Sequence, residues 1–333
     1  MLEKARRLKV LITGITGLIG SHLCDRLLDD GHQIVAQVRR PDKARWLEER
    51  GVEVLRGDLS MFRDPDLVLP AVDCVIHLAG VVHAHNEQEY EDVNFVAVAD
   101  LYRCIERQEW TPRRFLFASS AAVAGPCPGG RPVTEGEPCR PIDPYGIAKL
   151  RAEHFLLQNA TFPVTLFRPV LTLGPGDEAT LALYRMARRG FGFRAAGVDQ
   201  LLSTVDIDDL ISAIVLMSHE DGSGHQTYYV AGDEIVATTA LFTRIGKALG
   251  RTRVRTIAIP RSILWLASRV MMLLSAWFGF RNQLDDKQFK LITAPAFVFD
   301  ASRLRQRLGW TPAVDLDTSL RKAVAGYRQR GQF

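Results

Sequence analysis

The sequence lacks the cysteine and charge patterns of several common protein classes. Its five cysteines, an odd number, include no CxxC pair: Cys24, Cys74, Cys104, Cys127 and Cys139. This usage predicts free thiols in a reducing compartment rather than a disulfide framework. The 42 basic and 38 acidic side chains leave a net charge of only +4, which is too small and too dispersed to indicate a nucleic-acid partner.

A secretory signal and a membrane-spanning run are also missing. The N-terminal MLEKARRLKVLITG passes from basic residues into a predicted strand without a signal-peptide cleavage region, which favours a cytoplasmic protein. The most apolar segment, residues 257–280, is interrupted by Arg261 and Arg269. Only eleven uncharged residues follow Arg269 within it, whereas a spanning helix needs ~20. We expect a buried or substrate-covering helix; the alternative is peripheral contact with a membrane, which Trp265, Trp277 and the flanking arginines would suit.

The first half of the sequence alternates short β-branched runs with amphipathic helical stretches. Five buried strands are predicted: KVLIT (9–13), QIVAQV (33–38), VEVLRG (52–57), VDCVIHLAG (72–80) and RFLFASS (114–120). This alternation predicts an α/β fold with a doubly wound parallel sheet, which VTLFRPV (164–170) would extend. We assign residues 1–170 to this domain and residues 171–333 to a smaller lobe, with a strand near 226–232 returning to the sheet.

The segment TGITGLIG (residues 13–20) follows the first predicted strand and opens a helix. Gly14 permits a tight turn, Gly17 allows the backbone to approach a pyrophosphate, and Gly20 permits close packing of the helix on the strand. The helix N-terminus supplies N–H groups and partial positive charge for phosphates, so the segment predicts a dinucleotide-binding loop. The loop also includes the residues between these glycines: Thr16, Leu18 and Ile19.

Two arginines stand at the end of the second predicted strand, in QVRRPDK. An acidic residue at this place would accept a hydrogen bond from the ribose 2′-hydroxyl of NAD. Arg39 and Arg40 instead suit the 2′-phosphate of NADP through charge-assisted hydrogen bonds. We predict NADP as the preferred cofactor, with NAD as the alternative if the arginines point to solvent.

Tyr145 and Lys149 of PYGIAK are four residues apart, on one face of a helix that we predict to begin near Pro144. An unperturbed tyrosine has a pKa of about 10, too high for easy proton exchange at neutral pH. A lysine ammonium one turn away, together with an oxidised nicotinamide, would lower the pKa of this phenol. Ser120, at the end of a predicted strand, would hold the substrate oxygen by a hydrogen bond.

These motifs together resemble the extended short-chain dehydrogenase/reductases, the NAD-dependent epimerase/dehydratase superfamily, over nearly the whole chain. Further segments fall in the same order: GDL (57–59), HLAG (77–80), SSAAVAG (119–125), RPVLTLGPG (168–176), STVDIDDL (203–210) and FDASRLRQRLGWTP (299–312). The resemblance implies a Rossmann domain in which Ser120, Tyr145 and Lys149 are catalytic, with Tyr145 as the acid/base. It implies cofactor contacts by Tyr145, Lys149 and a further set: Asp58, Leu59, Leu78, Ala79, Gly80, Asn94 and Pro169. Asn94 would support a water relay, unless it is an ordinary helix residue.

The chain departs from this family at the positions that would hold a nucleotide-sugar diphosphate. Leu171 stands where such members usually have an asparagine, and Leu202 where they tend to have an arginine. A diphosphate buried against two leucines would leave its charge unpaired, which is costly. The substrate site, in which we also place His83 and Ala121, is therefore predicted to be apolar, as in the carbonyl-reducing branch of the family.

We therefore predict an NAD(P)-dependent oxidoreductase that interconverts a carbonyl and an alcohol on a largely apolar small molecule. The alternative is a nucleotide-sugar epimerase, or less readily a dehydratase, whose diphosphate is held by other residues. A cofactor-binding regulator without turnover is a third hypothesis. His83 and His85 share a loop, but no third ligand is evident, so no metal is predicted. The resemblance also suggests a homodimer.

Overall fold

The computed structural model describes residues 6–178, 180–278 and 286–333. Its strands are β1 (Lys9–Thr13), β2 (Gln33–Val38), β3 (Glu53–Arg56), β4 (Cys74–His77), β5 (Arg114–Ala118), β6 (Val164–Pro169), β7 (Leu171–Leu173), β8 (Phe191–Ala195), β9 (Leu201–Asp206), β10 (Gln226–Val230), β11 (Ile235–Ala237), β12 (Arg255–Ile259) and β13 (Ala296–Phe297). Its α-helices are α1 (Leu18–Asp29), α2 (Pro41–Glu48), α3 (Glu87–Glu91), α4 (Ala97–Glu106), α5 (Pro144–Asn159), α6 (Leu181–Arg188), α7 (Ile207–Ser218), α8 (Thr238–Ala248), α9 (Arg261–Phe278), α10 (Asp286–Thr293), α11 (Ser302–Leu308) and α12 (Leu316–Gln329).

Seven parallel strands form the main sheet, in the order β10-β6-β5-β4-β1-β2-β3. The predicted fold class is therefore confirmed. Alternate residues of the central strands enter different core layers: Val10 and Ile12 pack in one, and Leu11 packs in the other. Because both faces of the sheet are covered, these strands are apolar throughout rather than alternating, which is the pattern the sequence shows.

The chain returns to the main sheet well after residue 171. β10 pairs in parallel with β6, from Gln226 opposite Thr165 to Val230 opposite Pro169. α7 packs against α1, and its apolar residues join the same core layer as those of α1. The sheet layer therefore includes α7 as well as the strand near 226–232.

A small mixed sheet is formed by β7, β9, β11 and β13, while β8 and β12 pair separately. Leu202 of β9 lies between Val236 of β11 and Phe297 of β13. β7 runs parallel to β9, with Leu171 opposite Thr204. Because alternate residues of a strand share a face, Leu171 and Leu202 lie on the same face of this small sheet.

The apolar segment 257–280 is divided between β12 and α9, and its last two residues lie outside the described part of the chain. The prediction of a buried helix is wrong for the first half of α9. Ile263 and Leu266 are 56% and 57% exposed, whereas Leu264 and Ser268 on the opposite side are buried. None of the helices in the described ranges is long and apolar enough to cross a membrane. That α9 covers substrate stays a prediction.

Candidate active site

The loop between β1 and α1 has glycines where side chains would collide. Gly14 has a φ of +76°, and a Cβ there would lie 2.5 Å from the amide nitrogen of Ala79. A Cβ at Gly20 would lie 2.3 Å from the carbonyl oxygen of Gly14, so α1 can approach β1 this closely only with glycine. Gly17 is the N-cap of α1, which has no side-chain cap. Its first N–H groups are therefore available to an anion.

A cavity of about 500 Å³ adjoins this loop. Nine of the predicted cofactor residues line it: Gly14, Thr16, Gly17, Arg39, Asp58, Leu59, Leu78, Ala79 and Gly80. The cavity lies where a helix N-terminus meets the ends of parallel strands, which is where dinucleotides bind in such sheets. Other lining residues, among them Gln37, Asp92 and Asp100, were not predicted, because single polar residues at strand ends and on helices carry no distinctive spacing.

The two predicted NADP-binding arginines line different cavities. Arg39 lines the cavity just described, whereas Arg40 lines a neighbouring one of about 590 Å³ together with Leu18 and Lys43. Arg40 also approaches Asp42, with 4.0 Å between Nε and Oδ1. Thr16 and Gly17 of the phosphate loop line both cavities, and Arg39 is the one of the two arginines that shares its cavity with Asp58 and Ala79. Ile19, also predicted to bind cofactor, is partly buried against the core, and Gly20 is buried in the first turn of α1; a cofactor contact of either stays a prediction.

Asp58, predicted to lie near adenine, is held at the end of β3 by Ser60. The hydroxyl and the amide nitrogen of Ser60 donate to Oδ1 of Asp58 at 2.5 and 2.8 Å. These two bonds lower the pKa of the Asp58 carboxyl below its usual value, and the nearby Arg39 adds to the effect. Asp58 is therefore an ionised acceptor at neutral pH on the wall of the first cavity.

The three predicted catalytic residues meet between β5 and α5. The hydroxyl of Ser120 hydrogen-bonds the phenol of Tyr145. Nζ of Lys149 donates to the carbonyl oxygen of Ala118 at 2.8 Å, two residues before Ser120. Lys149 also reaches the first cavity's wall, since a Cβ on Gly80 would lie 3.1 Å from its Nζ. Lys149 therefore lies between the end of β5, next to the turn of Ser120, and the wall of the first cavity.

Local sequence explains why α5 can lie against the turn that carries Ser120. Asp143 is the N-cap of α5, and its carboxylate accepts from the amide nitrogen of Gly146 at 2.8 Å. The helix begins at Pro144, as predicted, so Tyr145 stands in its first turn. A Cβ at Gly146 would lie 2.7 Å from the carbonyl oxygen of Ala122. Glycine directly after the tyrosine is therefore what permits the close approach.

Burial shifts the pKa values of both Tyr145 and Lys149. Burial raises the pKa of Tyr145 to about 12, although the hydrogen bond from Ser120 acts in the opposite direction. Burial lowers the pKa of Lys149 to about 7, against a smaller raising effect of Glu153. In the polypeptide by itself, desolvation outweighs this hydrogen bond; the lowering predicted in the presence of an oxidised nicotinamide stays a prediction. Tyr145 is a protonated phenol at neutral pH and can act as a proton donor.

A buried ion pair behind the catalytic group was not predicted. Arg168 of β6 donates to both carboxylate oxygens of Glu153 on α5, at 2.9 and 2.6 Å, and Ser119 donates to the same carboxylate at 2.5 Å. Glu153 is 1% exposed and Arg168 is 5% exposed. Two signals were present in the sequence: Glu153 lies four residues after Lys149, and Arg168 interrupts an otherwise uncharged strand.

Asn94 lies in a π-helical turn, Asp92–Val96, directly before α4. Such turns are frequent at functional sites. Its Oδ1 accepts from the amide nitrogen of Val81 at 3.0 Å, and its Nδ2 donates to the carbonyl oxygen of Val81 at 2.9 Å. Asn94 therefore fixes the loop after β4, next to Gly80. A part in a water relay stays a prediction.

The predicted substrate residues lie at three places. Ala121 is buried in the 3₁₀ turn after Ser120. Leu171, two residues beyond Pro169, and Leu202 are partly buried and pack against the apolar core of the C-terminal part. His83 is exposed in the loop between β4 and α3.

The described part of the chain contains no cluster of three or more His, Cys, Asp and Glu side chains that could hold a metal ion. The histidines of the loop after β4 therefore have no set of partners of the kind that zinc sites use. All five cysteines have free thiols. Four of these cysteines are buried and Cys139 is partly buried.

A family model for the NAD dependent epimerase/dehydratase family matches residues 10–232. The match includes the loop around Gly14, the turn that carries Ser120, α5 and β10. The chain belongs to the NAD-dependent epimerase/dehydratase family, as the sequence predicted.

Relatives of similar length carry different names. The chain is 26% identical over 332 residues to a UDP-glucose 4-epimerase of Vibrio cholerae, covering 96% of this chain and 95% of that one. It is 27% identical over 331 residues to sterol demethylase protein B of Methylococcus capsulatus, covering 97% and 99%. Its fold is similar to that of the UDP-glucuronic acid 4-epimerase of Bacillus cereus, solved with UDP-glucuronic acid and NAD, with a TM-score of 0.74, 21% identity and coverage of 97% and 99%.

Proposed function

We propose that this chain is an NAD(P)-dependent oxidoreductase that interconverts a carbonyl and an alcohol on a largely apolar small molecule. The observation that carries the proposal is the pair of Leu171 and Leu202, which share one face of the small sheet and stay partly exposed. Neither side chain can donate a hydrogen bond to a diphosphate or neutralise its charge. Burying an unpaired phosphate there would be costly, whereas burying an apolar substrate against the two leucines would contribute favourably to the binding free energy.

The chemistry follows from the groups around Tyr145. A bound nicotinamide would supply or accept the hydride. In the reducing direction the protonated phenol of Tyr145 gives its proton to the substrate oxygen, while the hydroxyl of Ser120 orients that oxygen. Lys149 is held by its hydrogen bond to the carbonyl oxygen of Ala118. Because its pKa is lowered to about 7, the amine is partly protonated near neutral pH and is suited to relay a proton to Tyr145. The loop around Gly14 would hold the pyrophosphate at the N-terminus of α1.

For the cofactor we propose a preference for NADP. Arg39 is a cation on the wall of the cavity that also contains Asp58 and the phosphate loop. A guanidinium there would pair with a 2′-phosphate through charge-assisted hydrogen bonds. The family and its solved members bind NAD, so NAD is the alternative cofactor for this chain.

The second candidate function is that of a nucleotide-sugar epimerase, and most of the names among the relatives favour it. The Vibrio cholerae relative is an epimerase by name and matches nearly all of this chain. The sterol-related name of the Methylococcus capsulatus relative, which matches as much of the chain, is the comparison that favours an apolar substrate. The two candidates share the hydride and proton chemistry and differ in what the C-terminal part must bind.

Substrate panels with the purified chain separate the two candidates. We expect NADPH consumption with an apolar ketone, such as a steroid ketone or a long-chain ketone, and no interconversion of UDP-glucose and UDP-galactose followed by chromatography. Epimerisation of a nucleotide sugar without net cofactor consumption would replace the first candidate by the second. Binding of cofactor without turnover on either panel would favour a regulator.

A further inference from the structure

The cavity of about 590 Å³ that Arg40 lines, called the second cavity below, adjoins the N-terminal end of α1. Thr16 and Gly17 of the phosphate loop line it as well as the first cavity, whereas Leu18 and Ser21 of α1 line only the second of the two. The first turn of α1, with its partial positive charge, therefore faces the second cavity. A phosphate group bound at this end of the helix would be within reach of the other residues that line it.

Basic side chains from two distant parts of the sequence line the second cavity. Arg40 and Lys43 belong to the start of α2, and Arg330 follows the last residue of α12. Glu178 is the single carboxylate among the lining residues. Three cations against one carboxylate, beside the N-terminus of a helix, make this cavity attractive to an anion.

The charges of Lys43 and Arg330 are not used in ion pairs within the described part of the chain. Neither side chain pairs with Glu178, although all three line the same cavity. Asp177, the other acid of the loop after β7, is buried, and its carboxylate accepts from the amide nitrogen of Thr180 at 3.2 Å. Both cations can therefore pair with a ligand without first breaking an ion pair.

Arg330 is held against the loop after β7 by the packing of α12. The hydroxyl of Tyr327 donates to the carbonyl oxygen of Asp177 at 2.5 Å. A Cβ at Gly176 would lie 2.7 Å from Cζ of Arg330, so the guanidinium lies directly on the backbone of this loop. The end of α12 therefore fixes where the cation stands.

The loop after β7 is in turn attached to α1. Nε2 of His22 on α1 lies 3.1 Å from the carbonyl oxygen of Pro175, which is within hydrogen-bond distance. Arg330 is thus connected, through a single loop, to the helix whose N-terminal turn faces the second cavity.

We propose that Arg330 and Lys43 bind the pyrophosphate of the dinucleotide cofactor from the side of the second cavity. The inference rests on the proposed function only in taking the cofactor to be NAD or NADP, and it is the same for an oxidoreductase and an epimerase. The phosphate loop offers N–H groups, and the two cations add charge-assisted hydrogen bonds. Arg40 has no part in this contact, because it already approaches Asp42.

The pyrophosphate fits the second cavity better than other anions do. In sheets of this kind it lies at the N-terminus of the helix that follows the phosphate loop. Thr16 and Gly17 border both cavities, so a dinucleotide in the first cavity with its phosphates on the loop also borders the second. The C-terminal helix, at the far end of the sequence, thereby takes part in binding the cofactor.

Titration of NADH and NADPH into the full chain tests the proposal. Arg330→Ala should weaken the binding of both by about tenfold and by the same factor, because both carry the pyrophosphate. ADP-ribose, which has the pyrophosphate and no nicotinamide, should lose as much. Arg330→Lys keeps the charge and should lose less. The control is Arg328→Ala, which removes an exposed arginine of α12 that lines neither cavity, and it should bind like the wild type.

Lys43→Ala, on a different element, keeps the test decisive if Arg330→Ala folds poorly. It should also weaken NADH and NADPH binding equally, and its cofactor affinity should depend less on salt than that of the wild type. Inorganic pyrophosphate should compete with NADH for the wild type. Simultaneous binding of the two would assign the cavity to a separate anion and overturn the proposal.

Two further results would overturn the proposal. One is wild-type affinity for both dinucleotides in Arg330→Ala and Lys43→Ala. The other is a loss confined to NADPH, which would assign the two cations to the 2′-phosphate. These results leave the proposed function intact, whereas a wild-type chain that binds neither dinucleotide would refute the proposed function and this inference together.

Discussion

Arg168 and Glu153 form a buried ion pair directly behind the candidate catalytic group, with 2.6 Å between Nη2 and Oε2. Ser119, the residue before Ser120, donates to the same carboxylate. One carboxylate of α5 therefore links that helix to the ends of β5 and β6, and through them to the turn that carries Ser120. We therefore expect the pair to act as a positioning element for the predicted catalytic residues.

Glu153→Gln should destabilise the protein by about 3–5 kcal/mol, because removing one partner of a buried pair leaves the other charge uncompensated. Urea unfolding followed by circular dichroism measures the free energy of unfolding. Glu49→Gln, which breaks the exposed pair with Arg45, is the matched control and should cost less than about 1 kcal/mol. Equal effects of the two variants would contradict the role given to the pair.

Tyr145→Phe keeps the ring and removes the hydroxyl. Turnover should fall by roughly 10²-fold or more because the proton donor is lost, while NADPH binding, measured by fluorescence, should be retained. Tyr102→Phe removes a hydroxyl on α4, away from the site, and should keep wild-type turnover. A Tyr145→Phe enzyme with most of its activity would assign proton transfer to another group.

Lys149→Met should change how stability depends on pH. Burial lowers the pKa of Lys149 from the usual 10.5 to about 7, so below pH 7 the folded chain bears the full penalty of a buried ammonium. As pH rises from 7 to 10.5 the folded chain loses this proton before the unfolded chain does, and the penalty disappears. The variant should therefore be more stable than the wild type at pH 6, by several kcal/mol at most, and this advantage should shrink by pH 10. An advantage that does not vary between these pH values would be inconsistent with the lowered pKa.

Arg39→Ala should weaken the binding of NADPH by about 1.5–3 kcal/mol and leave the binding of NADH nearly unchanged, because only NADPH carries the 2′-phosphate. Titration of both cofactors into the variant measures the difference. Arg40→Ala is the matched control, since Arg40 lines the neighbouring cavity, which Asp58 does not line, and it should have the smaller effect. Equal losses for NADPH and NADH, or no loss for either, would refute the assigned preference.

Leu171→Asn tests the proposed substrate class. An amide placed against an apolar substrate should raise KM by an amount equivalent to about 1–3 kcal/mol, with NADPH affinity unchanged because the phosphate loop lies elsewhere. Thr172→Asn, on the opposite face of β7, is the control. If the chain is an epimerase, Leu171→Asn should instead tighten the binding of a nucleotide sugar. A tight nucleotide-sugar complex of the unchanged protein would also decide for the epimerase.

The sheet was predictable because its signals are local. Most strands from β1 to β5 are short apolar runs, and the loop around Gly14 has its own spacing. The small sheet was not predictable, because β9 pairs with β7, β11 and β13, and the paired residues of β9 and β13 are 95 positions apart, as in Leu201 and Ala296. No local pattern specifies such partners. The same holds for the site: Tyr145 and Lys149 are one helical turn apart, whereas Glu153 and Arg168 lie on different elements.

The direction of the pKa shifts could not be predicted either. The sequence shows that Lys149 stands one turn from Tyr145, and that proximity lowers a phenol's pKa. It does not show how much water surrounds the two groups, which is a property of the packed structure. Burial is the larger effect at both residues. In the same way, the apolar segment 257–280 was recognisable by composition, while the outward side of α9 depends on how the helix is attached.

The late position of β10 in the chain has a consequence for biosynthesis. When the ribosome has completed β6, six strands of the main sheet exist, but the edge of β6 has no neighbour and α1 lacks the cover of α7. Both partners arrive only with residues 207–230. During that interval a growing chain presents an unpaired strand edge, the kind of surface that invites association between nascent chains. A fragment that ends at residue 170 would keep this exposure permanently and should aggregate on expression.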